Sequence, residues 1–148
     1  MLSFLKRLFS GSSRSNKFRI RIEGEQVGDR IYLFRRESGK VDGRHYTDYV
    51  EDVKELKRQG RIQEAEDLLL RLINAVEAEA KEMNWGVAPW YYEQLAIIYR
   101  KQKRYEDEVA ILERYEKQIK APGVGPSNLA QRLEKAKAFL LKPGAVER

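Results

Sequence analysis

From Tyr46 onward the apolar residues recur at three- and four-residue steps, and part of that pattern is written twice. Tyr49, Val53 and Leu56 are followed 43 positions later by Tyr92, Ala96 and Tyr99. Past a turn, Ile62, Leu69 and Leu72 are followed at the same interval by Tyr105, Leu112 and Tyr115. Steps of three and four put these residues on one face of a helix, and a repeated face needs a neighbouring copy to cover it. This half of the chain therefore reads as two helix–turn–helix units. Gly60 ends the first helix, where a left-handed residue is wanted. The second helix is expected from Ile62 to about Met83 and ends at Asn84-Trp85-Gly86. Pro89 suits the first turn of the third helix. The fourth carries Tyr105, Val109, Leu112, Tyr115 and Ile119. A last helix is expected from Ser127 or Asn128, either of which can cap it, with Leu129, Leu133, Ala136 and Leu140 as its face.

Two segments carry more than period. Tyr91–Tyr105 (YYEQLAIIYRKQKRY) sets Leu95-Ala96 four residues before Tyr99, and Arg58–Ala65 (RQGRIQEA) joins a turn to a helix start. Both resemble the first helix, turn and second helix of the tetratricopeptide-repeat (TPR) family, over about residues 47–120. The resemblance implies a mainly α fold: a short TPR-like array of antiparallel helix pairs. Residues 44–121 hold the two pairs, and residues 122–148 supply a C-terminal capping helix and tail. Departures are also visible. Glu108 stands where the family prefers alanine, Lys103 replaces the turn glycine, and the offset of 43 exceeds the family's repeat length, consistent with a lengthened second helix.

The segment before the helices has another period. Phe18, Ile20 and Ile22 alternate with charged residues, Gly24–Asp29 reads as a turn, and Ile31–Phe34 reads as a second strand. Residues 17–43 are thus expected to form a small β-hairpin followed by a loop over Ser38–Gly43. Residues 1–16 combine a short amphipathic stretch, basic at Lys6 and Arg7, with a flexible linker (GSSRSN).

Charge is unevenly placed. The net charge of +6 divides into +6 for residues 1–46, −3 for 47–121 and +3 for 122–148. With no cysteine and a single histidine, the chain cannot assemble the clustered ligands of a zinc site. His45 is expected at the surface and lacks a visible nucleophile to serve as a general base. The carboxylates alternate with Lys and Arg, as in Glu51/Glu55 with Lys54/Arg58 and Glu64/Asp67 with Arg71, and read as solvated faces. Gly123–Pro126 lacks the lysine of a phosphate loop. No enzyme, cofactor or metal is expected, and no run is apolar enough to span a membrane, so the expected setting is cytoplasmic.

The resemblance implies a concave surface made by the first helix of each pair: Thr47, Val50, Lys54, Lys57, Trp90, Glu93, Ile97, Arg100 and Lys101, with Arg58 beside it. Its basic lean and the aromatic Trp90 would suit an acidic peptide or protein partner, as in an adaptor or scaffold. Trp85, Trp90, Tyr91 and Tyr92 cluster in sequence and are expected to fill the core, with a ligand-facing role for Trp90 or Tyr91 as the alternative. Three other partners compete. Nucleic acid would use Arg19, Arg21, Arg35 and Arg36. A membrane surface would be touched weakly through residues 1–9. A second copy of the chain would make the protein a self-assembling component.

Overall fold

The computed structural model describes residues 24–27, 30–33 and 37–142. Five α-helices dominate: α1 (Val50–Arg58), α2 (Ile62–Met83), α3 (Trp90–Lys101), α4 (Tyr105–Glu116) and α5 (Gly125–Leu140). Each packs on the next in chain order. Two small antiparallel sheets precede them. β1 (Gly24–Val27) pairs with β2 (Arg30–Leu33), and β3 (Lys40–Val41) pairs with β4 (Arg44–His45). The protein is mainly helical, with packed helices as expected. The residues named for the first strand, Phe18, Ile20 and Ile22, and all of residues 1–16 lie outside the described residues.

Two expectations for the N-terminal part are corrected. Gly24–Val27, expected as a turn, is a strand whose register runs from Gly24↔Leu33 to Val27↔Arg30. Ser38–Gly43 is not simply a loop. A 3-10 turn at Glu37–Gly39 leads into β3, and Asp42 and Gly43 then take φ values of 50° and 80° before β4. An Asp-Gly pair with positive φ at both residues makes the tight turn that matches the twist of paired strands.

The turns at Gly60 and Lys103 share one backbone geometry. Gly60 and Lys103 both take left-handed φ, 73° and 58°. Around Gly60, the Gly60 amide bonds the Lys57 carbonyl and the Arg61 amide bonds Leu56; around Lys103, the amides of Lys103 and Arg104 bond Arg100 and Tyr99. Arg61 and Arg104 then occupy equivalent places. Each pairs with an acid three residues on (Glu64 and Asp107) and with a glutamine two residues back (Gln59 and Gln102). Lys103 bears the steric cost of a left-handed non-glycine residue because the six-residue hydrogen-bonded turn from Tyr99 to Arg104 holds it there.

The apolar faces meet as their spacing demands. Val53, Leu69, Leu72, Tyr92, Leu95, Ala96, Leu112 and Tyr115 are all within 1% of complete burial. Tyr91 and Tyr92 lie in the core, and Trp85 and Trp90 pack half-buried against it. Ile119, expected on the α4 stripe, lies beyond that helix and is 57% exposed. Helix α5 begins at Gly125, before the expected caps, with Pro126 in its first turn and no side-chain cap. The Ser127 hydroxyl bonds back to the Val124 carbonyl instead. Proline tolerates the first turn because its missing N–H would be unpaired there anyway.

Candidate functional site

A side-chain hydrogen bond bridges helices α1 and α3: the Lys57 ammonium donates to Gln94 Oε1 at 2.7 Å. Gln94, Ile97 and Lys101 share one stripe of α3, three and seven residues apart. Lys101 comes close enough that its charge opposes that of Lys57. Lys57 is half-buried, and its pKa is pushed below the usual lysine value, first by burial and then by the Lys101 charge. Lys101 is exposed, and among the described residues no carboxylate pairs with it or with Lys57.

The other expected site residues divide. Lys54 pairs with Glu51 and Arg58 with Glu55, both at 2.7 Å and both one turn back on α1. Trp90 opens α3, half-buried, with its ring edge-to-face on Tyr91 at 5.0 Å. Ile97 is half-buried on the same helix, and Thr47 is exposed just before α1. Arg100 departs from the expected groove. Its Nε donates to Glu108 Oε2 at 2.5 Å, and its guanidinium lies 4.4 Å from the Phe139 ring centroid, so its partners are on α4 and α5. Arg19, Arg21, Arg35 and Arg36 lie outside the described residues.

Several carboxylates that read as solvated in the sequence join helices instead. Glu108 is completely buried and receives two arginines, Arg100 and Arg132, the latter at 3.1 Å. Arg132 reaches that carboxylate from α5. Glu66 holds Arg104 in a fork of 2.7 and 3.0 Å. Glu77 holds Arg114 the same way, at 2.8 Å to each oxygen, and accepts from the Tyr92 hydroxyl. Paired N–H bonds of this kind fix both distance and orientation. On α1 the surface pairs form at i,i+3 rather than the expected i,i+4 spacing.

The expectation for His45 is also corrected. It is buried, with 7% exposure, and its Nε2 lies 3.0 Å from Oε1 of the equally buried Glu79. The Thr47 amide donates to Nδ1, so Nε2 carries the proton toward the carboxylate. Gly39 packs over this pair with no room for a side chain: a Cβ there would lie 2.8 Å from both Glu79 Oε1 and His45 Nε2. The Ser38 hydroxyl adds a 2.5 Å bond to Glu82. The β3–β4 turn is latched to α2 in this way. Burial first, and Glu79's charge second, push the Tyr46 hydroxyl pKa above its ordinary value.

A hollow of about 490 Å³ lies elsewhere, between the end of α2, the α2–α3 linker and the segment after α4, with Lys81, Trp85, Lys117 and Ile119 among its walls. Among the described residues, no three His, Cys, Asp or Glu side chains are grouped to hold a metal ion. No helix among them is long and apolar enough to cross a membrane. Comparison of the chain with protein-family models, curated proteins and solved structures finds no match.

Proposed function

We propose that this chain is a non-enzymatic interaction module, an adaptor or scaffold, whose helices form a TPR-like array and whose α1–α3 face receives an acidic peptide or protein segment. The array reading is supported by the twice-used turn at Gly60 and Lys103. It is also supported by α5, where Leu129-Ala130 and Leu133 follow Leu95-Ala96 and Tyr99 at an interval of 34 residues, so that α5 takes the place of a third first-helix. The observation that carries the binding reading is the Lys57–Lys101 pair. Two like charges are held near one another, one of them half-desolvated, with a neutral amide as the bonded partner. An anionic side chain laid between them relieves both the repulsion and the lost hydration. Trp90 and Ile97, half-buried on α3, supply apolar contact on the same helix.

The test is a titration of a fluorescent Glu-rich peptide into the wild-type protein and into Lys57→Glu/Lys101→Glu. The wild type is expected to bind with an affinity that falls as salt rises, and the double variant to bind at least about tenfold more weakly, about 1.4 kcal/mol. Equal affinity for the two proteins, with unchanged helical circular dichroism, rejects the groove. Arg100 is left intact in this design because its loss would strip Glu108 of a partner.

A further inference from the structure

Helix α2 is longer than the helix it matches. α2 has 22 residues and α4 has 12, and their first residues, Ile62 and Tyr105, stand 43 positions apart, the interval at which the apolar pattern recurs. Asn74–Met83 therefore has no counterpart in α4. One face of this overhang is core, with Ala75, Val76 and Glu79 buried. Its other face, with Glu77, Ala78 and Lys81, lines the hollow of about 490 Å³. The segment after α4 adds Lys117 and Ile119, and the α2–α3 linker adds Trp85 and Val87. Among the described residues, none of α1 or α3 lines the hollow, so it is separate from the α1–α3 face.

Two forked ion pairs order the charges along this side of the molecule. Arg104 grips Glu66 near the start of both helices, and Arg114 grips Glu77 farther along. Both pairs advance in the same direction, so α2 and α4 run parallel there. The next positions are Lys81, one turn beyond Glu77, and Lys117, three residues beyond Arg114. The first two rungs set an acid against a base; the third sets two ammoniums on the walls of one hollow. Both lysines are exposed, and among the described residues neither has an ion-pair or hydrogen-bond partner. Lys40, Lys54, Lys120 and Lys137, by contrast, each sit against a carboxylate. Glu77 does not compensate the two cations, because Arg114 and the Tyr92 hydroxyl already hold its carboxylate.

The rest of the lining is largely apolar. Val87 is 2% exposed, Trp85 is half-buried, and Ile119 leaves 57% of its surface open. Small-molecule sites are built in this way, from an apolar concavity of several hundred Å³ with a few charged groups that fix orientation. We propose that the hollow is a binding site for a small aromatic carboxylate. The ring lies against Trp85 and Ile119, and the carboxylate accepts hydrogen bonds from Lys81 and Lys117. Charge-assisted bonds hold the head, and burial of apolar surface holds the body. The Trp85 ring favours an aromatic body over an aliphatic one, since ring pairs gain energy beyond the area they bury.

The test uses Trp90→Phe, which leaves Trp85 as the sole tryptophan, and titrates in 4-phenylbutyrate while Trp85 emission is followed. A saturable change is expected, with half-saturation below about 1 mM. 4-Phenylbutyramide keeps the ring and loses the charge, and is expected to bind at least about threefold more weakly. Added on the same background, Lys81→Glu/Lys117→Glu is expected to weaken 4-phenylbutyrate at least about tenfold, and Ile119→Ser about threefold. All three side chains are exposed, and unchanged helical circular dichroism checks that the variants fold. Amide NMR shifts in the wild type are expected at Lys81, Val87 and Ile119 and not at Lys57 and Lys101. No half-saturation by about 1 mM, equal binding of the amide, or unaltered affinity in the lysine or Ile119 variants overturns the assignment. Shifts confined to Lys57 and Lys101 overturn it as well. Inorganic phosphate that binds as tightly as 4-phenylbutyrate does the same, since the apolar walls then contribute nothing.

Discussion

Glu108→Ala is expected to lower the unfolding free energy by about 2–4 kcal/mol, read as a drop in the urea midpoint at constant slope. The sequence alone argues the opposite. The resembled family prefers a small residue at this position, so alanine there would be expected to let α3 and α4 approach more closely. The structure supplies a different occupant for the same space. The Glu108 carboxylate is completely buried, Arg100 reaches it from α3 and Arg132 from α5, so one side chain ties three helices together. Removing it opens a void and leaves two guanidinium groups without their shared partner. Both arginine side chains are about a quarter exposed, at 27% and 26%, and can turn partly to water. That escape places the cost toward the lower end of what breaking a buried ion pair entails. Glu108→Gln keeps the volume and one acceptor, so about half the loss is expected. A midpoint for Glu108→Ala at or above wild type would show that the position wants a small residue after all.

Much of the helical half was legible because the apolar spacing is sustained there. The three-and-four steps of Tyr49, Val53 and Leu56 say helix, and the same steps at Tyr92, Ala96 and Tyr99 say helix again. The span of α2, Ile62–Met83, follows the stripe residue by residue. The polar interior was not legible, for a physical reason. A glutamate on a helix is equally compatible with solvent and with a buried arginine; what decides is whether a partner on another helix arrives at the same height. Arg104 lies 38 residues from Glu66, and Arg114 lies 37 from Glu77, beyond the reach of any local rule. His45 was misjudged on the same ground, since Glu79 is 34 residues away. The β3–β4 turn is a different kind of miss. Asp42-Gly43 is a local hairpin signal, but the two-residue strands around it are too short to show alternation. For the candidate site, the resemblance implied Lys57 and Lys101 on one surface. It did not identify Gln94 as the partner of Lys57, nor Arg100 as one committed to Glu108.

Gly86→Ala is expected to cost about 2–4 kcal/mol, although nothing in the backbone dihedrals of Gly86 forbids a side chain. The constraint is contact. The linker between α2 and α3 runs beside the linker between α4 and α5, and the two are laced by hydrogen bonds: the Val87 amide donates to the Ile119 carbonyl at 2.7 Å, and the Ala121 amide donates to the Val87 carbonyl at 3.3 Å. Val87 itself is 2% exposed and belongs to the core. A Cβ on Gly86 would fall inside the backbone of Lys120 and Ala121, closer than atoms approach. Those neighbours are main chain and have no rotamer to change, so the linkers must separate and both hydrogen bonds lengthen. Amide hydrogen exchange should report it directly, with faster exchange at Val87 and Ala121 and little change at Val53 on α1. Gly123→Ala is the matched control. Gly123 has a left-handed φ of 130° but no atom within 4 Å of its would-be Cβ. That substitution strains a dihedral without prying two segments apart, and about 1 kcal/mol is expected for it. If the two substitutions cost the same, the close approach at Gly86 is not what holds the linkers together. If Gly86→Ala costs at least about twice as much and exposes both amides, the two linkers are held together by backbone contact rather than by side-chain packing.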